Sequence, residues 1–435
     1  MIKTLKMSNF RSIKEGSIDF APVTFLYGEN AAGKSSIFYA LNVLRNVITD
    51  PNQTVETFFN LGFINLGGFS QVVYKHNEKE SIIISAGGKI GLTTFTYRVT
   101  LNNKAGELYV EVGKPYFLKL TLPVSFPYPS NGSAEQQIKI EENLYKVNWN
   151  GLTFQVNPEP ATDQTTKNAN EITIFLNSIV ESIRSVDVVP MMRGFTKANY
   201  GIVSSDKFPV DQDQVIAKLA TDDILDRQVS TYLEQVMDRQ SNTKAAPGTT
   251  QVHLYTTEKE SKQTIDIVND GFGVNQLVYL ISKALMKNLE IVCIEEPEIN
   301  LHPRIINRLL GLFVELARDE GRQIIVSTHS EILMLSVLNA VSKGLIRSND
   351  VAAYLFHKNR GLTFFRKESI SKEGQIEGGL VSFIADNVAD ITNFFPKKNK
   401  SSEAPSIEEK LTGENSAKKD DTEKKEETNP KSSKR

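Results

Sequence analysis

Cysteine is almost absent from this 435-residue chain: the one present, Cys293, sits inside an apolar run. A disulfide framework and a cysteine-built metal site are thereby excluded. No run approaches the roughly eighteen apolar residues that span a bilayer. The first ten residues alternate apolar and polar and carry Lys3 and Lys6, without the apolar stretch of a signal peptide. These two absences give the expectation of a cytoplasmic protein that uses no membrane. A formal charge of -2 excludes a strongly basic footprint over the whole chain, although not a local patch. Heptads sustained over many turns are also missing, which excludes long coiled-coil arms.

What is present begins at Gly28-Glu29-Asn30-Ala31-Ala32-Gly33-Lys34-Ser35, a complete phosphate-binding loop. It follows an apolar run, Val23 to Tyr27, that reads as a strand. Glycines at the first and sixth positions let the backbone curl with its N–H groups pointing inward, where a side chain would block an approaching phosphate. Lys34 is then placed to reach β- and γ-phosphates, and the Ser35 hydroxyl to ligate Mg²⁺. The segment from Ser36 to Leu44 has helical apolar spacing. The loop therefore stands at a helix N-terminus, whose dipole and free N–H groups favour an anion.

Far downstream, Leu289 to Glu298 reads Leu-Glu-Ile-Val-Cys-Ile-Glu-Glu-Pro-Glu. Four consecutive apolar residues ending in acids describe a fully buried central parallel strand whose C-terminal edge delivers carboxylates to a ligand crevice. Adjacent carboxylates repel unless a cation or proton lies between them. Beside a phosphate loop, Glu295 would hold Mg²⁺ directly or through its water, and Glu296 would orient or deprotonate an attacking water. A third strand, Gln323 to Thr328, ends at His329-Ser330, where a histidine is placed to touch the γ-phosphate or the water.

Phosphate loop, a late Glu-Glu-Pro-Glu strand end and a closing Ser-Thr-His-Ser strand, in this order, resemble the ABC-type ATPase heads. The segments Asn9-Phe10-Arg11-Ser12 and Leu301-His302-Pro303 are similar to those of the stand-alone prokaryotic ATPases of the OLD, RecF and AAA-type "ATP-binding protein" group. The resemblance covers roughly residues 1–74 and 264–358. It implies an α/β P-loop fold with a mixed sheet, an antiparallel β subdomain and an inserted α+β lid region. It further implies ATP and Mg²⁺ as ligands, bound at composite sites of a head-to-tail homodimer, or of a higher oligomer of such dimers. In that arrangement Asn269 to Gln276 occupies the place of the signature loop, with Gly271, Gly273 and Gln276 facing the opposite protomer's γ-phosphate. The usual Leu-Ser-Gly-Gly-Gln is not intact, since Gly273 stands at the serine position. Gln71 sits where a Q-loop glutamine would meet Mg²⁺, and Arg11 resembles an N-terminal arginine near the nucleotide. Ser36 closes the phosphate loop, and Asn300 corresponds in place to a D-loop residue.

Between the motif-bearing parts, residues 81–156 show short alternating runs separated by Asn-Asn, Ser-Asn-Gly and Asn-Gly, the pattern of antiparallel strands. Helical spacing follows at Ile172 to Ile183 and Ala220 to Val236, joined by a loop with Met191-Met192-Arg193-Gly194-Phe195, where Arg193 reads as an exposed loop arginine, with a nucleotide or partner contact as the alternative. A strand pair, Gln251 to Thr256 and Gln263 to Val268, leads into the signature loop, and the apolar helical stretch Leu277 to Met286 follows it. Beyond His329, two strands (Asp350 to Phe356, Leu362 to Arg366) and a short helix (Val381 to Phe395) are expected. The organisation expected is therefore an N-terminal ATPase lobe over 1–100, an inserted lid over 101–250, a C-terminal ATPase lobe over 251–396, and a solvated charged tail over 397–435, too poor in apolar residues to fold. Acidic strand ends are too few for the TOPRIM nuclease domain of OLD nucleases, so no intrinsic nuclease is expected. The resemblance suggests the ATPase sensor of a prokaryotic defence or toxin-like system with a separately encoded effector. The alternative is a RecF-like clamp that closes on DNA when ATP binds.

Overall fold

The computed structural model describes residues 1–128, 134–201, 211–245, 249 and 251–376. All belong to one compact unit, Met1–Gly379; the second unit, Leu380–Arg435, lies outside the described residues, and with it the helix expected at Val381 to Phe395 and the charged tail.

In chain order, the hairpin β1 (Ile2–Phe10) and β2 (Ile13–Asp19) precedes β3 (Val23–Gly28), which enters α1 (Ser35–Thr49) through the phosphate loop. A one-turn helix, α2 (Phe69–Val72), leads to four strands, β4 (Ile82–Ile90), β5 (Thr93–Leu101), β6 (Ala105–Val112) and β7 (Leu118–Ser125). Three more follow, β8 (Ala134–Ile140), β9 (Asn143–Trp149) and β10 (Phe154–Glu159), and then the long α3 (Asp163–Arg184) and β11 (Val186–Val189). After β12 (Tyr200–Gly201) come α4 (Gln212–Thr221), α5 (Asp223–Met237), β13 (Arg239–Ala245), β14 (Gln251–Glu258) and β15 (Thr264–Asp266). The last part alternates: α6 (Phe272–Ala284), β16 (Ile291–Glu295), α7 (Pro303–Arg318), β17 (Gln323–Thr328), α8 (Glu331–Ser342), β18 (Val351–Asn359) and β19 (Leu362–Glu368).

The central sheet has the order β11-β16-β17-β3-β18-β19, parallel except for the final antiparallel strand. Every residue of β3, β16 and β17 is buried. That explains why these strands are mostly apolar, with Thr24 and the terminal Glu295, Gln323, Ser327 and Thr328 as their polar members: both faces are covered, so strict alternation would bury more polar groups. Each such aliphatic side chain contributes about 1.5–3 kcal/mol when removed from water. A second sheet, β2-β1-β4-β5-β6-β7, is antiparallel. Its strands alternate, as in β7, where Leu118, Leu120, Leu122 and Val124 are buried and the residues between them exposed. Helices α1 and α3 pack against this sheet, and α1 also against β11, so the helix carrying the phosphate loop lies between the two sheets. There are two smaller sheets, β10-β9-β8 and β12-β14-β13 with β15 beside β14. β5, which ends at Leu101, pairs with β6 in the second sheet.

Three local expectations are corrected. The single helix read over Ala220 to Val236 is two, because the Asp222 side chain accepts from Leu225 N at 3.2 Å and caps a new helix where α4 ends. The helix expected from Leu277 begins at Phe272, so Gly273 and Gln276 lie within its first turns rather than in a loop. Gln71, given a Q-loop position by the resemblance, stands in the one-turn α2, where Phe69 and Val72 are buried on one side.

Candidate active site

The parallel strands all end at one edge of the sheet, and adjacent strands bring distant motifs together there. β3 lies between β17 and β18, and β16 lies next to β17, so the loop after Gly28, the acids after Ile294 and His329 converge.

The loop is shaped by its glycines. Gly28 has φ +140°, and a Cβ there would lie 2.1 Å from the Phe356 carbonyl oxygen. Gly33 has φ +100°, with a Cβ position 2.3 Å from Thr363 Oγ1. The close approach of the β18–β19 hairpin thus demands glycine at both places. Thr363 also donates to the Ala32 carbonyl at 2.9 Å and shares a hydrogen bond with Ser12 Oγ at 2.7 Å. The loop is therefore held from outside by the last hairpin of the described chain. Glu29, Asn30 and Ala31 are exposed, and α1 starts without a side-chain cap, the N–H groups of Ser36 and Ile37 donating to the carbonyls of Gly33 (3.0 Å) and Lys34 (3.1 Å).

Lys34 is buried and its Nζ donates to the carbonyls of Gly28 (2.8 Å) and Glu29 (2.9 Å), 3.9 Å from Glu296 Oε1. Burial pulls this ammonium below its usual range, and Glu296 and Glu298 oppose that shift. Arg11 donates to Ser36 Oγ at 3.3 Å with its guanidinium 5.0 Å from the centre of the Tyr39 ring. Tyr39 is buried beside Glu295, and its hydroxyl is pushed up to about 12 by burial first and then by that carboxylate. Arg11, Asn30 to Ser36, Tyr39, Glu295 and Glu296 line one cavity, with Met191 and Lys358 on its wall.

Glu295 is buried at the end of β16, and its Oε2 accepts from Met191 N at 3.3 Å. Glu296, the next residue, has φ +42°, a left-handed conformation that a glutamate adopts only under constraint. The constraint has a source. Arg193, 8% exposed, donates to the carbonyls of Pro190 (3.0 Å), Glu295 (2.7 Å) and Glu296 (3.0 Å). Burial lowers its pKa to about 10, against the pull of Glu298, Glu295 and Glu296. The expectation of an exposed loop arginine at 193 is thus overturned: the loop folds inward over the strand end, where the guanidinium meets the Pro190 and Glu295 carbonyls and shares that of Glu296 with Ile299 N. Glu296 Oε2 in turn accepts from His329 N at 3.1 Å and lies 2.5 Å from His329 Nδ1.

Glu298 completes the edge. It is buried, bonded through Oε1 to the Thr328 hydroxyl, and raised to about 7 by burial and then by the neighbouring Glu296.

Gln71 is exposed and does not line the cavity. Gly271, Gly273 and Gln276 also lie outside it. A Cβ on Gly271 would meet nothing, whereas one on Gly273 would lie 2.7 Å from the Asn300 carbonyl. The start of α6 is tied to the site indirectly: Asn275 accepts from Phe195 N (2.7 Å) and donates to Phe195 O (2.8 Å), two residues after Arg193. Arg193 and Thr363, absent from the expected set, carry no sequence signal beyond position.

An ATP and its Mg²⁺ fit this edge: the glycine cradle admits only backbone and ligand, the helix start is uncapped, and the Ser35 hydroxyl and Glu295 carboxylate supply an all-oxygen donor set suited to Mg²⁺. No helix among the described residues is long and apolar enough to cross a membrane.

A protein-family model described as "AAA domain, putative AbiEii toxin, Type IV TA system" matches residues 23–336. The chain is 22% identical over 366 residues to an "ATP/GTP phosphatase" of Helicobacter pylori, covering 81% of this chain and 90% of that protein. It is 23% identical over 378 residues to the "Old nuclease" of Escherichia phage P2, covering 78% of this chain and only 58% of that longer protein. Among solved structures, the SMC head bound to the C-winged helix domain of ScpA superposes with TM-score 0.47 at 12% identity, covering 85% of this chain and 98% of that one.

Proposed function

The chain belongs to the AAA-domain family of P-loop ATPases whose model spans residues 23–336, and from that premise we propose that it hydrolyses Mg-ATP at composite sites formed by two head-to-tail copies. When bound, ATP supplies the anhydride to be cleaved, and Mg²⁺ the charge that offsets its phosphates. Ser35 and Glu295 hold the metal. Lys34 exchanges the Gly28 and Glu29 carbonyls for β- and γ-phosphate oxygens, and the loop amides hold the remainder. Glu296 orients the attacking water and accepts its proton, while His329 fixes the Glu296 carboxylate and reads the γ-phosphate. Gly271 and Gly273 at the start of α6 face the nucleotide of the second copy, with Asn300 beside Gly273, whereas Gln276, expected there too, is only 4% exposed and packs into its own chain instead. Gln71 reaches Mg²⁺ only if α2 moves. Such a site works by positioning and charge neutralisation.

The observation that carries this reading is the left-handed Glu296, with His329 at one carboxylate oxygen and Lys34 near the other, facing the phosphate cradle. Mass photometry and phosphate release on wild type, Lys34→Ala and Glu296→Gln, with and without Mg-ATP, test it. Lys34→Ala loses nucleotide binding, whereas Glu296→Gln retains ATP and accumulates a larger species. Equal loss of binding in both variants contradicts the separate roles. Turnover at a site completed within one chain removes the assignment of the α6 start.

For the biological role we propose the ATPase sensor of a prokaryotic defence or toxin-like system that acts on a separately encoded effector. The family's description, which names a toxin, supports it, as does the likeness to a phage nuclease over the part that this chain shares. Loss of phage protection on Lys34→Ala substitution, together with co-purification of an effector, is expected. An unchanged plaque count in cells lacking the gene sinks the role while leaving the ATPase intact.

A further inference from the structure

Three carboxylates, Glu295, Glu296 and Glu298, crowd the strand edge, with Lys34, Arg193 and, beside Glu295, Arg11 facing them. Glu298 is the one with an oxygen left unmet. It is 8% exposed, Thr328 occupies its Oε1, and its Oε2 is buried with no hydrogen-bond partner. An unpartnered carboxylate oxygen that deep is unfavourable unless a proton or a cation meets it. One ligand atom each from Glu296, Glu298 and His329 lie within 4.8 Å of one another. His329 is half exposed, which leaves a route from solvent.

We propose that Glu296, Glu298 and His329 form a binding site for a borderline divalent cation, zinc or manganese in type, separate from the Mg²⁺ expected at Ser35 and Glu295. Two carboxylate oxygens and one imidazole nitrogen are a mixed set that suits Zn²⁺ or Mn²⁺ better than Mg²⁺, which prefers oxygen alone. Three protein ligands leave a fourth position open to water or to a phosphate oxygen. The cation replaces the contact between His329 and Glu296 with bonds to both and meets the Glu298 oxygen that lacks a partner. The site stands whether or not Glu296 serves as the base in hydrolysis.

Zn²⁺ titrated into the full-length, nucleotide-free protein against a chromophoric chelator, in millimolar Mg²⁺, tests this. Wild type takes up one equivalent per chain that Mg²⁺ does not displace. Glu298→Gln and His329→Ala each weaken binding tenfold or more, and Lys34→Ala leaves it at least as tight. Zinc X-ray absorption on wild type shows one imidazole among oxygen ligands and no sulfur, a readout that needs no variant to fold. Less than one equivalent, a multi-imidazole shell, or a folded Glu298→Gln variant that binds zinc like wild type overturns the site. Phosphate release by Glu296→Gln is measured separately and bears only on the hydrolytic reading.

Discussion

Arg193 Nη1 donates to the main-chain carbonyl of Glu295 at 2.7 Å, and Nη2 of the same guanidinium donates to the carbonyl of Glu296 at 3.0 Å. One side chain thus fixes the peptide units on both sides of the turn that aims the two acids in different directions. Glu295 stays in the strand line, while Glu296 is swung into its left-handed conformation.

Removing that donor takes the guanidinium from the buried Pro190 and Glu295 carbonyls, at about 1–3 kcal/mol each, while the Glu296 carbonyl keeps Ile299 N. Arg193→Ala is expected to lose about 2–5 kcal/mol in urea unfolding and to lower kcat at least tenfold, because Glu296 is no longer held. Arg193→Lys recovers little, since a single ammonium lacks the planar fork that spans separate carbonyls. A lysine variant with wild-type stability and turnover would show that charge alone suffices there.

The glycine at the start of the loop gives a sharper case. In Gly28→Ala the new methyl would lie 2.1 Å from the Phe356 carbonyl, at φ +140°, so either β18 or the loop must shift. The expected result is a loss of more than about 3 kcal/mol, or no soluble protein, consistent with backbone strain added to a clash. Gly321→Ala is the control: its φ is +65° but a Cβ there meets nothing within 4 Å, so only about 1–2 kcal/mol of left-handed strain is expected. Similar melting temperatures for the two variants would contradict the steric account.

How much of this was open to sequence reasoning depended on the span of the interaction. The phosphate loop, β16 and β17 are local patterns, with fixed spacing in the first and unbroken apolar runs in the others. Their side-by-side placement follows once they are taken as strands of one parallel sheet. Thr363 was invisible because it meets Ala32 across 331 positions of chain, and nothing in Gly-Leu-Thr-Phe-Phe says which strand it will abut. Arg193 was misread for a related reason: Met-Met-Arg-Gly-Phe has the composition of an exposed loop. Only the carbonyls of another segment, 102 and 103 residues away, draw the arginine in. Helical periodicity shows best in the apolar stretch from Leu277, whereas the helix starts at Phe272, where an exposed Phe272, Gly273, Asn275 and Gln276 interrupt the apolar pattern.

A buried charge cluster links the helix after the phosphate loop to α6. Asp187 on β11 pairs with Lys283 of α6 at 2.6 Å and with Arg45 of α1 at 3.6 Å, and both Asp187 and Lys283 are nearly inaccessible. Removing the carboxylate takes away the charge that balances a buried ammonium, a loss of about 3–5 kcal/mol. Asp187→Asn is therefore expected to melt well below wild type, and adding Lys283→Met should recover part of the loss. A double variant no better than the single would mean that the pair is not coupled.

The last prediction concerns acid and base. In the folded protein the Glu298 carboxyl is raised from 4.5 to about 7, burial being the first cause. Between those values the folded state holds a proton that the unfolded chain has released, so stability falls as pH rises through this window and levels off above the folded value. Glu298→Gln cannot ionise. In a metal-chelating buffer, its unfolding free energy is expected to fall less than that of wild type between pH 4.5 and 8, with the two curves diverging most above pH 7. Urea unfolding at half-unit pH steps measures the difference. Parallel curves would mean that Glu298 ionises alike in the folded and unfolded chain, which its burial with an unpartnered oxygen argues against.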